Sequence, residues 1–328
     1  MTKKILLLLF VLYCFSAFSQ DFLAEEKSGY REGFISELKT EPKSLNFLLM
    51  GDFGRFGQYY QKEVAEQMGK AAMTIDADFT ISVGDNFYPN GVQSVTDYQW
   101  ISSFESIYKN ISLHHNWYVA LGNHDYRGNI QAQIDYSKIS RRWQMPEKYY
   151  SKTFELKNGE KVLMLFMDTN PYIKSYYKPG SDMYDNIIAQ DTAAQTLWLK
   201  NHLQNADSSI KWKVVVGHHP LYSGGKRKTS PDTIAFAAQF ADIFDQYQVD
   251  AYLCGHEHDL QIIKPNGRYT TQFLSGAASE VRPTGNTEGT LFSKAEAGFM
   301  AFSITPTKML IQTVNASGKI INTSEIKK

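Results

Sequence analysis

Short apolar runs that stop at a glycine set the rhythm of this chain. Leu45–Met50, Phe79–Val83, Trp117–Leu121, Lys211–Val216 and Ala251–Cys254 are too short for helices and too continuous for half-exposed strands. They read as strands buried on both faces. Between them, 58–75, 98–108, 191–205 and 233–247 carry apolar residues at helical spacing, as at Ala194, Leu197, Trp198 and Leu203, and are predicted as helices. Extended segments Tyr149–Leu156 and Lys161–Met167 flank Lys157-Asn158-Gly159-Glu160, whose Asn-Gly predicts a hairpin turn. Beyond Cys254 the chain alternates strands and turns, with strands over Leu260–Ile263, Tyr269–Leu274, Phe299–Ile304, Met309–Val314 and Ile320–Ile326. Helices interleaved with strands early and mostly strands late predict an α/β class, mixed α+β in character. Its expected form is two mixed β-sheets packed face to face with helices outside.

The residues just after the buried runs carry chemistry. The runs lead into Gly51-Asp52-Phe53-Gly54, Gly84-Asp85-Asn86-Phe87-Tyr88, Gly122-Asn123-His124-Asp125, Gly217-His218-His219-Pro220 and Gly255-His256-Glu257-His258. Alone, a Gly-Asp after a strand is an ordinary turn, and adjacent histidines are ordinary loop residues. His256 and His258 alternate in an extended segment and so share a face, with Glu257 turned away. Repeated in this order, at the ends of buried strands, such residues can collect the oxygen and imidazole donors that two cations require.

Composition narrows the alternatives. At 328 residues the chain is long enough for one large domain, and no linker divides it. We expect a catalytic domain over 45–328, preceded by a polar, loosely docked lead-in over 21–44. The formal net charge is zero and no basic cluster exceeds Lys226-Arg227-Lys228. Nucleic acid is therefore not an expected partner, since phosphate neutralisation needs clustered cations. Residues 1–20 differ: Lys3 and Lys4 precede an apolar run from Ile5 to Phe15, followed by small residues at alternate positions. This predicts a cleaved signal peptide and export to a periplasmic or extracellular location. No stable membrane insertion is expected, because the run is well short of the roughly 20 apolar residues that span a bilayer. Removal of Cys14 with that peptide leaves Cys254 alone, so stability must come without a disulfide.

The islands together resemble the calcineurin-like metallophosphoesterase superfamily, and more closely the tartrate-resistant purple acid phosphatases. The wider superfamily places a histidine two positions after the first aspartate, where this chain has Gly54. Tyr88, three residues after Asp85, stands in its stead, as in purple acid phosphatases. Further matches run through Gly128-Asn129, Tyr136-Ser137-Lys138, Arg142-Trp143, Trp198-Leu199 and Cys254-Gly255-His256, so the resemblance spans roughly Leu45 to Ile304.

The resemblance implies a four-layer αββα sandwich and a dinuclear metal centre. Fe(III) would lie at Asp52, Asp85, Tyr88 and His258, and Fe(II), Zn or Mn at Asp85, Asn123, His218 and His256, with Asp85 bridging. Carboxylates and phenolate suit a trivalent ion, and amide and imidazoles a divalent one. It further implies an acid phosphatase that hydrolyses small phosphomonoesters by direct attack of a metal-bound hydroxide, without a phosphoenzyme. His124 would be general acid or transition-state stabiliser, with Asp125 fixing its ring. Asn123 and His219 are candidates for substrate contact. The loop Ser223–Ser230 is a candidate pocket rim, lacking the histidine that mammalian relatives carry there. The alternatives are a phosphodiesterase or nucleotide pyrophosphatase on the same fold, or a metal-bound binding protein without catalysis. The last should have lost a ligand or His124, and none is missing. Oligomeric state is not legible, and a monomer is favoured.

Overall fold

The computed structural model describes residues 33–328. The expected signal peptide and the first part of the lead-in lie outside the described residues. In chain order the strands are β1 (Leu45–Met50), β2 (Phe79–Ser82), β3 (Asn116–Val119), β4 (Trp143–Gln144), β5 (Tyr150–Glu155), β6 (Lys161–Phe166) and β7 (Ile210–Val216). Next come β8 (Ala251–Cys254), β9 (Leu260–Ile263), β10 (Thr271–Ser275), β11 (Thr290–Lys294), β12 (Gly298–Ile304), β13 (Lys308–Asn315) and β14 (Ile320–Lys327). The α-helices are α1 (Gln61–Ile75), α2 (Ile130–Tyr136), α3 (Tyr184–Ile188), α4 (Thr192–Gln204) and α5 (Pro231–Gln246).

The strands form two seven-stranded mixed sheets, ordered β14-β13-β12-β1-β2-β3-β4 and β11-β9-β10-β8-β7-β6-β5. In the first, β1 to β4 run parallel and β1 meets β12 antiparallel. In the second, β6, β7, β8 and β10 run parallel. Strand alternation divides the second sheet's side chains between two apolar regions. Met164, Phe166, Val214, Val216 and Leu253 join the large core shared with the first sheet. Leu163, Leu165, Val215, Tyr252 and Cys254 face the opposite way, onto Leu199 and Leu203 of α4 and Phe236, Phe240 and Phe244 of α5. A strand covered on both faces has no polar side to show, which is why these segments read as continuous apolar runs.

Several elements depart from the sequence expectation. The helix expected from 58 begins at Gln61 because Gly57 and Tyr59 both turn left-handed, at φ 72° and 55°. Over 98–108 only a short, wide π-type turn forms, Trp100–Glu105. It lays Trp100 flat on Tyr136, ring centres 3.5 Å apart, and edges it against Trp143. Helices α2 and α3 and strands β4 and β11 are too short, or in β11 too exposed, to show a period. The lead-in is docked where it is described: Ile35 and Leu38 are buried, Gln312 bonds both backbone groups of Lys39, and Glu41 N–H donates to Ser303.

One buried hydroxyl ties the sheets together. Tyr150 of β5 accepts the Val119 N–H of β3 at 2.9 Å, with the carbonyls of Val119 and Gln144 each at 3.0 Å. Tyr150→Phe keeps the ring but orphans that N–H, and a buried unsatisfied donor costs about 1–3 kcal/mol. The expected result is a lower urea midpoint at unchanged slope, measured by circular dichroism.

Candidate metal centre

All the parallel strands that precede the islands point their C-terminal ends to the same side of the molecule, where an open sheet offers its loops. The first sheet brings Asp52, Asp85, Tyr88 and Asn123 there, and the second brings His218, His256 and His258. None of the seven is more than 7% exposed. Three of them leave their strands in the left-handed region: Asp52 at φ 58°, Asp85 at 50° and His256 at 71°. Such a turn is costly for a residue with a Cβ. Close approach requires glycine beside them, since a Cβ on Gly122 would fall on the Asp85 carboxylate and amide.

The donor atoms crowd one another. Tyr88 Oη lies 3.1 Å from Asp52 Oδ1, 2.9 Å from Asp85 Oδ2 and 3.2 Å from His258 Nε2. His258 Nε2 is 3.5 Å from Asp52 Oδ1, His218 Nε2 is 3.5 Å from Asp85 Oδ1, and His256 Nδ1 is 3.1 Å from His218 Nε2. Bonds of about 2.0–2.2 Å to one cation place adjacent donors roughly 3 Å apart, so these separations fit the edges of coordination shells. Asn123 Oδ1 is buried without a hydrogen-bond partner, as suits an oxygen donor turned to a cation. The residues present fit two metal ions.

Neighbouring groups fix the direction of each donor. Asp52 Oδ2 accepts the His256 N–H at 3.0 Å, and Asp85 Oδ1 accepts the His124 N–H at 2.7 Å. His218 donates Nδ1–H to the Val83 carbonyl at 2.8 Å, leaving Nε2 inward. Behind His258, Nδ1 is 3.1 Å from Glu280 Oε2 but off the line of a hydrogen bond. Arg55 clamps Glu280 at 2.7 Å and lays its guanidinium over the Tyr88 ring at 3.7 Å.

Electrostatics match ligation at His256 and His258, whereas at His218, against burial, the Asp85 carboxylate holds the ring up, to about 9. Burial, then repulsion from His219 and Arg227, holds His256 well below the usual imidazole range. Burial and Arg282 push His258 down to about 2. Both rings are neutral, the form that binds a cation. Burial drives Tyr88 well above its ordinary range, with Asp52 and Asp85 adding to it, and burial likewise raises Asp52. Against burial, His218 and His124 hold the Asp85 carboxyl well down. Cations entering this cluster would displace the protons of Tyr88 and Asp52.

The sequence-predicted ligands Asp52, Asp85, Tyr88, Asn123, His218, His256 and His258 are all brought together. Two other expected roles are not supported by the geometry. Asp125 does not touch the His124 ring: its carboxylate accepts from Asn86 N and Nδ2, Gly122 N and Gln133 Nε2. The Pro89 carbonyl holds the His124 ring instead, 2.5 Å from Nδ1. His219 comes within 4.8 Å of the His218 and His256 donors, yet both its nitrogens are engaged, Nδ1 by Thr169 and Nε2 by Tyr176, each at 2.8 Å. It is therefore not free for substrate. Glu257 does face away, taking Ser223 Oγ, Arg227 N and Arg227 Nη1 at 2.7 to 3.2 Å. This pins the Ser223–Ser230 loop at the rim. Arg227 of the expected rim loop, together with Arg127 and Tyr176, which carry no sequence signal, lines a cavity of about 250 Å³ beside Asn123 and His256.

The profile of the family described as calcineurin-like phosphoesterase matches residues 45–260. Purple acid phosphatase 7 of Arabidopsis thaliana is 36% identical over 299 residues, covering 88% of each chain. The chain belongs to the purple acid phosphatases of this superfamily. Tartrate-resistant acid phosphatase type 5 of Oryctolagus cuniculus is 32% identical over 297 residues, covering 84% of this chain and 89% of that one. This purple acid phosphatase is accordingly a metal-dependent phosphatase. Among solved structures, GAP50, the anchor in the inner membrane complex of Plasmodium, superposes with a TM-score of 0.73 at 22% identity, covering 88% of this chain and 89% of that one. At that identity the likeness is one of fold.

The Asp125 contacts carry a testable consequence. Asp125→Asn sets an amide donor against buried N–H groups, a mismatch of about 1–3 kcal/mol. The variant is expected to unfold at lower denaturant and to lose metal more readily to a chelator. kcat of its metal-replete fraction should stay near the wild-type value, which a role in fixing the His124 ring for proton transfer would not allow.

Proposed function

We propose that this enzyme hydrolyses phosphomonoesters at a dinuclear centre, with Fe(III) at Asp52, Asp85, Tyr88 and His258 and a divalent Fe, Zn or Mn at Asp85, Asn123, His218 and His256. The observation that carries this reading is the packing of Tyr88 Oη between Asp52 and Asp85 oxygens at 3.1 and 2.9 Å. Hard anionic oxygens at that spacing suit a trivalent ion, and the imidazoles and amide opposite suit a divalent one. Two such cations would acidify a water and neutralise the phosphoryl oxygens, allowing direct attack without a phosphoenzyme.

The chain's own part is orientation and proton handling. Asp85 faces both ligand sets, consistent with a bridge. His124 gives Nδ1–H to Pro89, so Nε2 turns inward, 4.0 Å from Asp85 Oδ2, where it can hold a proton for the leaving-group oxygen. Asp125 is assigned the positioning of the Asn123–His124 loop, and the domain is taken as 45–328. Export through the signal peptide of 1–20 is part of the same proposal. Among the described residues no helix is long and apolar enough to cross a membrane.

Tyr88→Phe is expected to abolish a visible phenolate-to-iron charge-transfer band with little loss of fold. A colourless wild-type protein that stays colourless after iron reconstitution would instead mean zinc or manganese in both positions. Removal of the His124 imidazole, as His124→Ala, should lower kcat on a monoester about 10²- to 10⁴-fold at unchanged metal content. Turnover of bis(p-nitrophenyl) phosphate exceeding that of p-nitrophenyl phosphate would replace the monoesterase assignment with a diesterase.

A further inference from the structure

Tyr176 closes the short 3-10 turn Lys174–Tyr177 and lines the cavity beside the centre with Asn123, His256, Arg127 and Arg227. Its hydroxyl meets His219 Nε2 at 2.8 Å. The protons along this contact can be assigned one by one. Thr169 Oγ1 accepts the backbone N–H of His218 and of His219, each at 3.2 Å. A hydroxyl has two acceptor positions and one proton. Both acceptor positions are used, so the Thr169 proton goes to His219 Nδ1, 2.8 Å away.

His219 is buried, 3% exposed, at the wall of the same cavity. With Nδ1 accepting, the single ring proton sits on Nε2 and is donated to the Tyr176 oxygen. The Tyr176 proton then points elsewhere. Among the described residues His219 is its only hydrogen-bonding partner, and the open side of the ring is the cavity. Arg227 is held at the same cavity by Glu257, and Arg127 lies across it, 3.4 Å from Asp182.

We propose that Tyr176 is a substrate-contacting residue, its hydroxyl proton presented by the Thr169–His219 relay to a non-bridging phosphoryl oxygen between Arg127 and Arg227. The assignment rests on the phosphatase reading of the adjoining centre. It gives His219 a positioning role one residue removed from the substrate.

The test is Tyr176→Phe in the metal-replete full chain, with p-nitrophenyl phosphate for turnover and calorimetric titration with inorganic phosphate for binding. A hydrogen bond to a charged oxygen predicts that KM and the phosphate Kd rise together, roughly tenfold or more. Metal content should stay at the wild-type value, since the ring and its packing are kept, while the unfolding midpoint falls because the buried His219 Nε2–H loses its acceptor. Wild-type turnover with unchanged KM and phosphate affinity in the variant overturns the Tyr176 assignment alone. Absence of turnover and of phosphate binding in the metal-replete wild type overturns the reading of the centre, and the Tyr176 assignment with it.

Discussion

Buried oxygens do not pack against buried oxygens without something to reconcile them, and this structure is organised around one such contact. Asp52, Asp85 and Tyr88 meet at about hydrogen-bond distance with almost no exposed surface. Protons relieve that crowding only in part, because three acidic groups share too few of them. Cations relieve it fully. The left-handed strand ends, the glycine at 122 and the backbone N–H donors of His124 and His256 all hold the oxygens in place against their mutual repulsion. Strain at these positions is tolerated because two sheets and a shared core over-determine them.

Much of this is legible along the chain itself. Parallel strands covered on both faces must be apolar throughout, so β1, β2, β7 and β8 announce themselves, and the residues after them are the loop residues at the sheet edge. The ligand set is readable because each ligand sits within a few residues of such an end. Where reasoning along the chain fails, it fails over side-chain direction. Asp125 adjoins His124, yet a 3-10 turn begins there and sends its carboxylate inward to Asn86 and Gln133. His219 adjoins His218, but their rings stand at 87° to each other and only one faces the centre. The rim loop of Arg227 is legible, but Arg127 and Tyr176 lie in separate 3-10 turns with no spacing that links them to it, so only the fold could bring the three to one cavity.

A solved structure described as an anchor overlays this chain closely, so the sandwich itself does not decide what the molecule does. The architecture supplies a place where strand ends converge, and activity depends on what those ends carry. In this chain they carry a full donor set together with His124, whose ring is held by a carbonyl rather than by a carboxylate. Arg127 Nη1 also lies 3.2 Å from the same ring nitrogen, and burial, with that guanidinium set against Asp85 in front, holds the imidazole below its usual range.

The donors are divided between the sheets: aspartates, tyrosine and asparagine on one, and histidines on the other. The centre therefore works as the bite of a jaw whose two halves are whole β-sheets. The two halves meet in one shared core, in contacts such as Phe273 against Phe302, so the spacing of the donors is set by how the sheets pack on each other as well as by the loops that carry them.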